Sequence, residues 1–150
     1  MRVIIGYGNT LRGEDGFGVD VIEELQKHNL KGTKLISCFQ LTPELSLELL
    51  EAQEIIFIDA CFSLSNNYAL ACSIDEKRNN TNLSHHISPK IIIDILDSVY
   101  SKKPKFLIYS MLTNSFDRID DLSIYNKRVI EISELLANLS NSLSNIKRKI

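Results

Sequence analysis

The sequence predicts an α/β protein, a three-layer sandwich in which a mostly parallel, twisted β-sheet lies between helices on both faces. Three observations carry that expectation. Short runs rich in β-branched residues alternate with amphipathic segments of helical period, and such alternation produces parallel sheets. One run, Glu54–Asp59 (EIIFID), holds four consecutive apolar residues, as a strand covered on both faces requires. The chain has 150 residues, 44% apolar and 24% charged, which suits one globular domain over residues 1–150 with a sizeable core.

The elements follow in order. Met1–Gly6 (MRVIIG) reads as a first buried strand ending in glycine, and residues 7 to 14 as a loop. From about Asp15, Val19, Val21, Ile22 and Leu25 fall at helical spacing, with Glu23, Glu24 and Lys27 between them, and Gly32 lies beyond the end. Lys34–Phe39 (KLISCF) is the second strand. Thr42 is a fitting N-cap for a second helix, with Pro43 at its first position and Leu45, Leu47, Leu49 and Leu50 following. Glu54–Asp59 is the third strand. Tyr68–Ile74 (YALACSI) is the fourth, after the polar turn Ser65-Asn66-Asn67, and residues 76 to 82 are a polar loop. Ser88 caps a helix that opens at Pro89 and carries Ile91, Ile92, Ile95, Leu96 and Val99 on its apolar face. Lys105–Met111 (KFLIYSM) is the last strand, and a long helix from Ser123 to about Ile146 follows it. The order β-α-β-α-β-β-α-β-α contains no repeat, linker or second domain.

Composition narrows the function classes. A net charge of −2 offers no electrostatic footprint for nucleic acid or an anionic membrane. The basic cluster Lys147-Arg148-Lys149 reads as a solvated tail. No apolar run approaches the roughly 20 residues of a membrane span, and Met1-Arg2 leads into a strand without a cleavage region. The three cysteines, Cys38, Cys61 and Cys72, are widely spaced, which argues against a disulfide framework or a thiolate zinc site. A monomer in a reducing cytoplasm is the expectation.

In open α/β sheets, sites form at the carboxyl ends of strands where the strand order reverses. Three polar features fall at such places: Gly13-Glu14-Asp15-Gly16 after the first strand, Asp59 at the end of the third, and His85-His86 after the fourth. Taken singly, Asp15 could answer a helix dipole, Asp59 could cap a turn, and a histidine beside a helix start could be a surface group. Together, two carboxylates and an imidazole on one edge make a mixed oxygen and nitrogen metal site with open positions. Glu14 and Asp15 are adjacent, so only one is expected to point inward. The glycines of IIGYGNTLRGEDGFGV invite a phosphate-loop reading, but the third glycine of the dinucleotide fingerprint and any G-K-S/T are missing. No G-x-S-x-G elbow is present, and nothing marks Cys61 as an activated nucleophile.

The segments GYGNTLRGEDGFGV, QLTPEL, IFIDA and SHHISP together resemble the hydrogenase maturation endopeptidases, over nearly the whole chain. The N-terminal G-x-G-N-x-L-x-x-D/E-D/E-G-x-G run is the most specific part. The resemblance implies a helix-flanked sheet and an aspartic-type endopeptidase that removes the C-terminal extension of a nickel–iron hydrogenase large-subunit precursor after nickel insertion. It also implies that the substrate's own nickel is the recognition handle. Carried onto this chain, the metal-contacting and catalytic residues are Asp15, Asp59 and His85. His86 ranks second, because relatives can carry glutamine there. Nickel then arrives with the substrate, and no tightly bound organic cofactor is expected. H-E-x-x-H is absent, which argues against a protein-only catalytic zinc. Two other readings stay open: a non-catalytic α/β module binding a nucleotide or partner at Gly6–Asn9, and another metal-directed peptidase of the same fold, such as one resembling the spore-protein proteases.

Overall fold

The computed structural model describes residues 1–64, 68–73 and 87–148. Its elements are β1 (Arg2–Tyr7), a 3-10 turn (Gly13–Gly16), α1 (Phe17–Leu25), β2 (Thr33–Cys38) and a 3-10 helix (Pro43–Leu49). Then come β3 (Glu54–Phe62), β4 (Leu70–Ser73), α2 (Pro89–Tyr100), β5 (Lys105–Thr113) and α3 (Leu122–Arg148). The strands form one sheet of five in the order β2-β1-β3-β5-β4. All neighbours run parallel except β4, which pairs antiparallel with β5. The α/β expectation and the order of elements are therefore met.

Both faces of the sheet are covered, which explains the unbroken apolar runs in β1 and β3. On one face Ile4, Ile56, Ile58 and Met111 pack against Phe17, Val21, Ile22 and Leu25 of α1 and Tyr125, Val129, Ile132 and Leu136 of α3. On the other, Val3, Ile5, Ile55, Phe57 and Ile108 pack against Leu49 of the 3-10 helix and Ile92 and Leu96 of α2. The chain leaves β1 through α1 toward β2 over the first face, then returns through the 3-10 helix over the second to reach β3. A crevice between the carboxyl ends of β1 and β3 follows from that reversal.

Several boundaries differ from expectation. The second helix is a 3-10 helix, and the Thr42 side chain makes no capping bond. Instead Ser46 Oγ donates to the Pro43 carbonyl at 2.6 Å, an i to i−3 bond that matches the 3-10 repeat. Ser88 does cap α2, accepting from the Ile91 amide at 3.4 Å. The first helix begins at Phe17, and the residues expected to open it form the 3-10 turn. Most consequential for the site, β3 does not stop at Asp59. It continues to Phe62, because Ala60, Cys61 and Phe62 remain paired with Met111, Leu112 and Thr113 of β5.

Helix α1 is clamped to α3 near its start. The Phe17 and Tyr125 rings meet edge to face with centroids 5.9 Å apart, and Tyr125 Oη donates to Asp20 Oδ2. Burial raises the Asp20 carboxyl above its ordinary 3.8; the Tyr125 hydrogen bond opposes that shift, and the nearby Glu23 charge adds to it. A raised folded-state value means the folded chain holds this proton more tightly than the unfolded chain, so protonation favours folding. The cost of the ionised group is full above the raised folded value and fades as pH falls through it toward 3.8. Relative to Asp20→Asn, wild-type stability should therefore rise between pH 7 and about pH 4 in urea denaturation. A gap that stays constant or closes the other way would contradict this.

Candidate active site

The site is built on the residues leaving β1. Gly6 is level with Ile58 in the β1–β3 register, so Tyr7 lies beside Asp59, and Asp59 is paired with Ser110. Neighbouring residues of a parallel ladder project to the same face. Tyr7, Asp59 and Ser110 thus form a row across three strands, on the face that also carries Val3, Ile5, Phe57 and Ile108. Asp59 is 8% exposed. Tyr7 Oη donates to its Oδ2 at 2.6 Å, and Ser110 Oγ donates to its Oδ1. A carboxylate in the middle of a strand is tolerated here because both oxygens are hydrogen-bonded. It still lies at an edge, but the edge is the end of β1 rather than the end of β3.

Asp15 reaches the same place from the 3-10 turn. It is half-buried, and the Asn9 amide donates to its Oδ2 at 3.1 Å. The backbone is drawn tight around it. Gly8 has φ +143°, and a Cβ there would stand 1.9 Å from the Asp15 carbonyl oxygen, so only glycine fits. The two carboxylates are therefore fastened to successive parts of one short stretch, Asp59 to Tyr7 and Asp15 to Asn9.

Glu14, the other member of the acidic pair, has a different task. Its side chain is fully buried. Thr113 Oγ1 donates to Glu14 Oε2, and the Asp120 amide donates to Oε1 at 3.3 Å. Tyr68 Oη also bonds to Glu14 and accepts from the Asp121 amide at 2.7 Å; burial first, then the Glu14 bond, pushes its phenol up to about 12. Glu14 thus anchors the acidic turn to the end of β5 and to the segment before α3, and Asp15 is the member of the pair that stays half-buried. Glu14→Ala removes a fully buried side chain and the acceptor for the Tyr68 hydroxyl, while Thr113 Oγ1 keeps the Ser115 carbonyl at 2.7 Å, and should cost about 3 kcal/mol. Equilibrium denaturation would read it, and a loss below about 1 kcal/mol would contradict the anchoring role.

The phosphate-loop reading finds five amides of the loop already engaged. The Gly8 amide bonds to the Cys38 carbonyl, Asn9 to Asp15, Leu11 to the Asn9 side chain, Arg12 to the Asn9 carbonyl and Asp15 to the Arg12 carbonyl. A phosphate loop presents such amides to its ligand. Here a carboxylate, the Asn9 side chain and backbone carbonyls take these five up.

Of the expected site residues, Asp59 and Asp15 are both tied to the Tyr7–Asn9 stretch, while His85 and His86 lie outside the described residues. Ile87, the first residue described after them, packs in the same cluster as Tyr7 and Cys38. Among the described residues, no group of three or more His, Cys, Asp or Glu side chains is gathered as a metal site. Tyr7 and Ser110 were not expected at the site, since a tyrosine after a strand glycine and a serine inside an apolar run carry no distinguishing local signal. Only parallel register reveals them.

No protein-family model matches the chain, and no curated protein matches it significantly. Solved structures do match. The chain is similar to the NiFe hydrogenase maturation protease HycI from Thermococcus kodakarensis KOD1, with a TM-score of 0.76 and 18% identity over 93% of this chain and 92% of that one. It is similar to the hydrogenase maturating endopeptidase HybD from E. coli, with a TM-score of 0.73 and 21% identity over 94% of this chain and 93% of that one. The endopeptidase HycI from Escherichia coli matches with a TM-score of 0.71 and 15% identity, over 92% and 90% of the two chains. At these identities the likeness establishes a shared fold.

Proposed function

We propose that this chain is an endopeptidase that removes the C-terminal extension of a nickel–iron hydrogenase large-subunit precursor after nickel insertion. The observation that carries the reading is the attachment of Asp59 and Asp15 to one stretch, Tyr7–Asn9, at the reversal of a sheet whose fold is shared with hydrogenase maturation proteases. Asp15, Asp59 and His85 contact the nickel held by the precursor's thiolates, so only a metallated precursor is aligned for cleavage. The nickel is part of the substrate. The chain itself needs no organic cofactor, acts as a monomer in the cytoplasm, and has the precursor as its partner.

Hydrolysis adds a water oxygen to the scissile carbonyl carbon and breaks the carbon–nitrogen bond, with the water's proton passing to the departing amine. Asp59 has both oxygens held by hydroxyls and serves as the fixed member of the pair. Asp15 receives one amide hydrogen bond, on Oδ2, and its Oδ1 is the better placed acceptor for a water proton. Substrate-bound metal and this carboxylate then act on opposite partners of the reaction, polarising the carbonyl and activating the water.

The direct test incubates the purified chain with nickel-loaded and nickel-free large-subunit precursor and follows intact mass. Loss of a C-terminal peptide from the nickel-loaded form alone is the expected result. An uncut nickel-loaded precursor, or equal cleavage of both forms, would overturn the proposal.

A further inference from the structure

The row Tyr7–Asp59–Ser110 crosses three adjacent strands on one face, and its two outer members each hold one oxygen of the central carboxylate. From this geometry we infer that Tyr7 and Ser110 are positioning residues for Asp59, setting the plane in which its carboxylate meets the substrate. The inference rests on the function proposed above and goes beyond it by naming the residues through which Asp59 is aimed.

A carboxylate joined to its backbone through a single methylene rotates readily about its terminal torsion, which is broad and roughly two-fold. One hydrogen bond leaves that rotation partly free. Two bonds from opposite sides, one on each oxygen, define the plane. Here the donors come from different strands: Tyr7 from β1 and Ser110 from β5, with Asp59 between them on β3. Their spacing is set by the backbone ladder and does not depend on a loop. Ser110 is 1% exposed, so its hydroxyl is screened from water and donates to the Asp59 oxygen. Tyr7 is only half-buried. Asp59 thereby resembles a catalytic group built on rigid elements with its rotamer locked by a supporting shell.

In this role each hydroxyl acts on the reaction through Asp59, which separates positioning from binding. Removing either one should lower the rate of the committed step and leave precursor capture nearly unchanged. Tyr7→Phe and Ser110→Ala each keep the packing volume close to that of the original side chain.

The experiment measures kcat and KM for cleavage of nickel-loaded precursor by wild type, Tyr7→Phe, Ser110→Ala and Asp59→Asn, with thermal unfolding of each protein. The expected result is a fall of about tenfold in kcat for Tyr7→Phe and for Ser110→Ala, the worth of one hydrogen bond to a charged group, with KM within about twofold of wild type. In an Asp59→Asn background, Tyr7→Phe should change neither the residual rate nor precursor affinity further. Wild-type kcat in both single variants, while Asp59→Asn is inactive, overturns the positioning role and leaves the proposed function standing. Loss that follows unfolding temperature, or appears in KM alone, also overturns it. An active Asp59→Asn or an inactive wild type removes the proposed site itself, and the inference with it.

Discussion

Asp59→Asn is expected to lower precursor processing about a thousandfold while leaving the protein folded, the scale on which a single preorganised electrostatic contact acts in a closed site. The substitution keeps the shape of the side chain and removes its charge. Its amide still offers one oxygen to accept and one nitrogen to donate. The hydroxyls of Tyr7 and Ser110 can each donate or accept, so the row across β1, β3 and β5 stays satisfied. Stability should therefore change by less than about 1 kcal/mol, and the whole effect should appear in catalysis. Circular dichroism with urea denaturation would establish the first point and intact-mass kinetics the second. Processing within tenfold of wild type, with normal folding, would exclude Asp59 from the reaction. The same measurement on Asp15→Asn tests the second carboxylate, whose hydrogen-bond donor is the Asn9 amide.

Gly18→Ala carries the largest expected effect on the fold. A Cβ at Gly18 would stand 2.2 Å from the Ile58 carbonyl oxygen, 2.7 Å from the Tyr7 nitrogen and 2.8 Å from the Tyr7 oxygen. All three are backbone atoms of the two central strands, and no side chain can swing away to make room. The first turn of α1 must then lift off the sheet, and the Phe17, Val21, Ile22 and Leu25 packing moves with it. A loss of about 3 kcal/mol or more is expected, at the upper end of overpacking costs. Because Asp15 lies in the turn that leads into α1, the surviving folded fraction should also process precursor poorly. A variant with wild-type stability would show that α1 does not sit as close to Tyr7 and Ile58 as described.

Much of the architecture was legible because it depends on local pattern. The apolar runs of β1, β3 and β5 announce strands, and the periods of α1 and α2 announce helices, since burial on one or both faces writes itself into spacing. The end of β3 was misread for an equally physical reason. A charged residue after four apolar ones reads as a strand terminus, yet Asp59 is carried inside the strand by two hydroxyls whose residues lie 52 and 51 positions away in sequence. The expected Thr42 cap failed because the Ser46 hydroxyl and the Pro43 carbonyl close a tighter turn.

The acidic pair marks the division most clearly. From the sequence came the α/β class, the order of elements, a polar turn after β1, and the expectation that one of Glu14 and Asp15 points inward. Which residue takes which role depended on contacts that local pattern does not encode. Glu14 is held by Thr113, 99 residues on, and by the Asp120 amide, 106 residues on. Those partners bury Glu14, while Asp15 stays half-buried with the Asn9 amide on its Oδ2. A carboxylate's chemistry is set by what surrounds it, and in a parallel sheet those surroundings come from strands far apart in the chain, so which of the two is buried was decided only when the strands assembled.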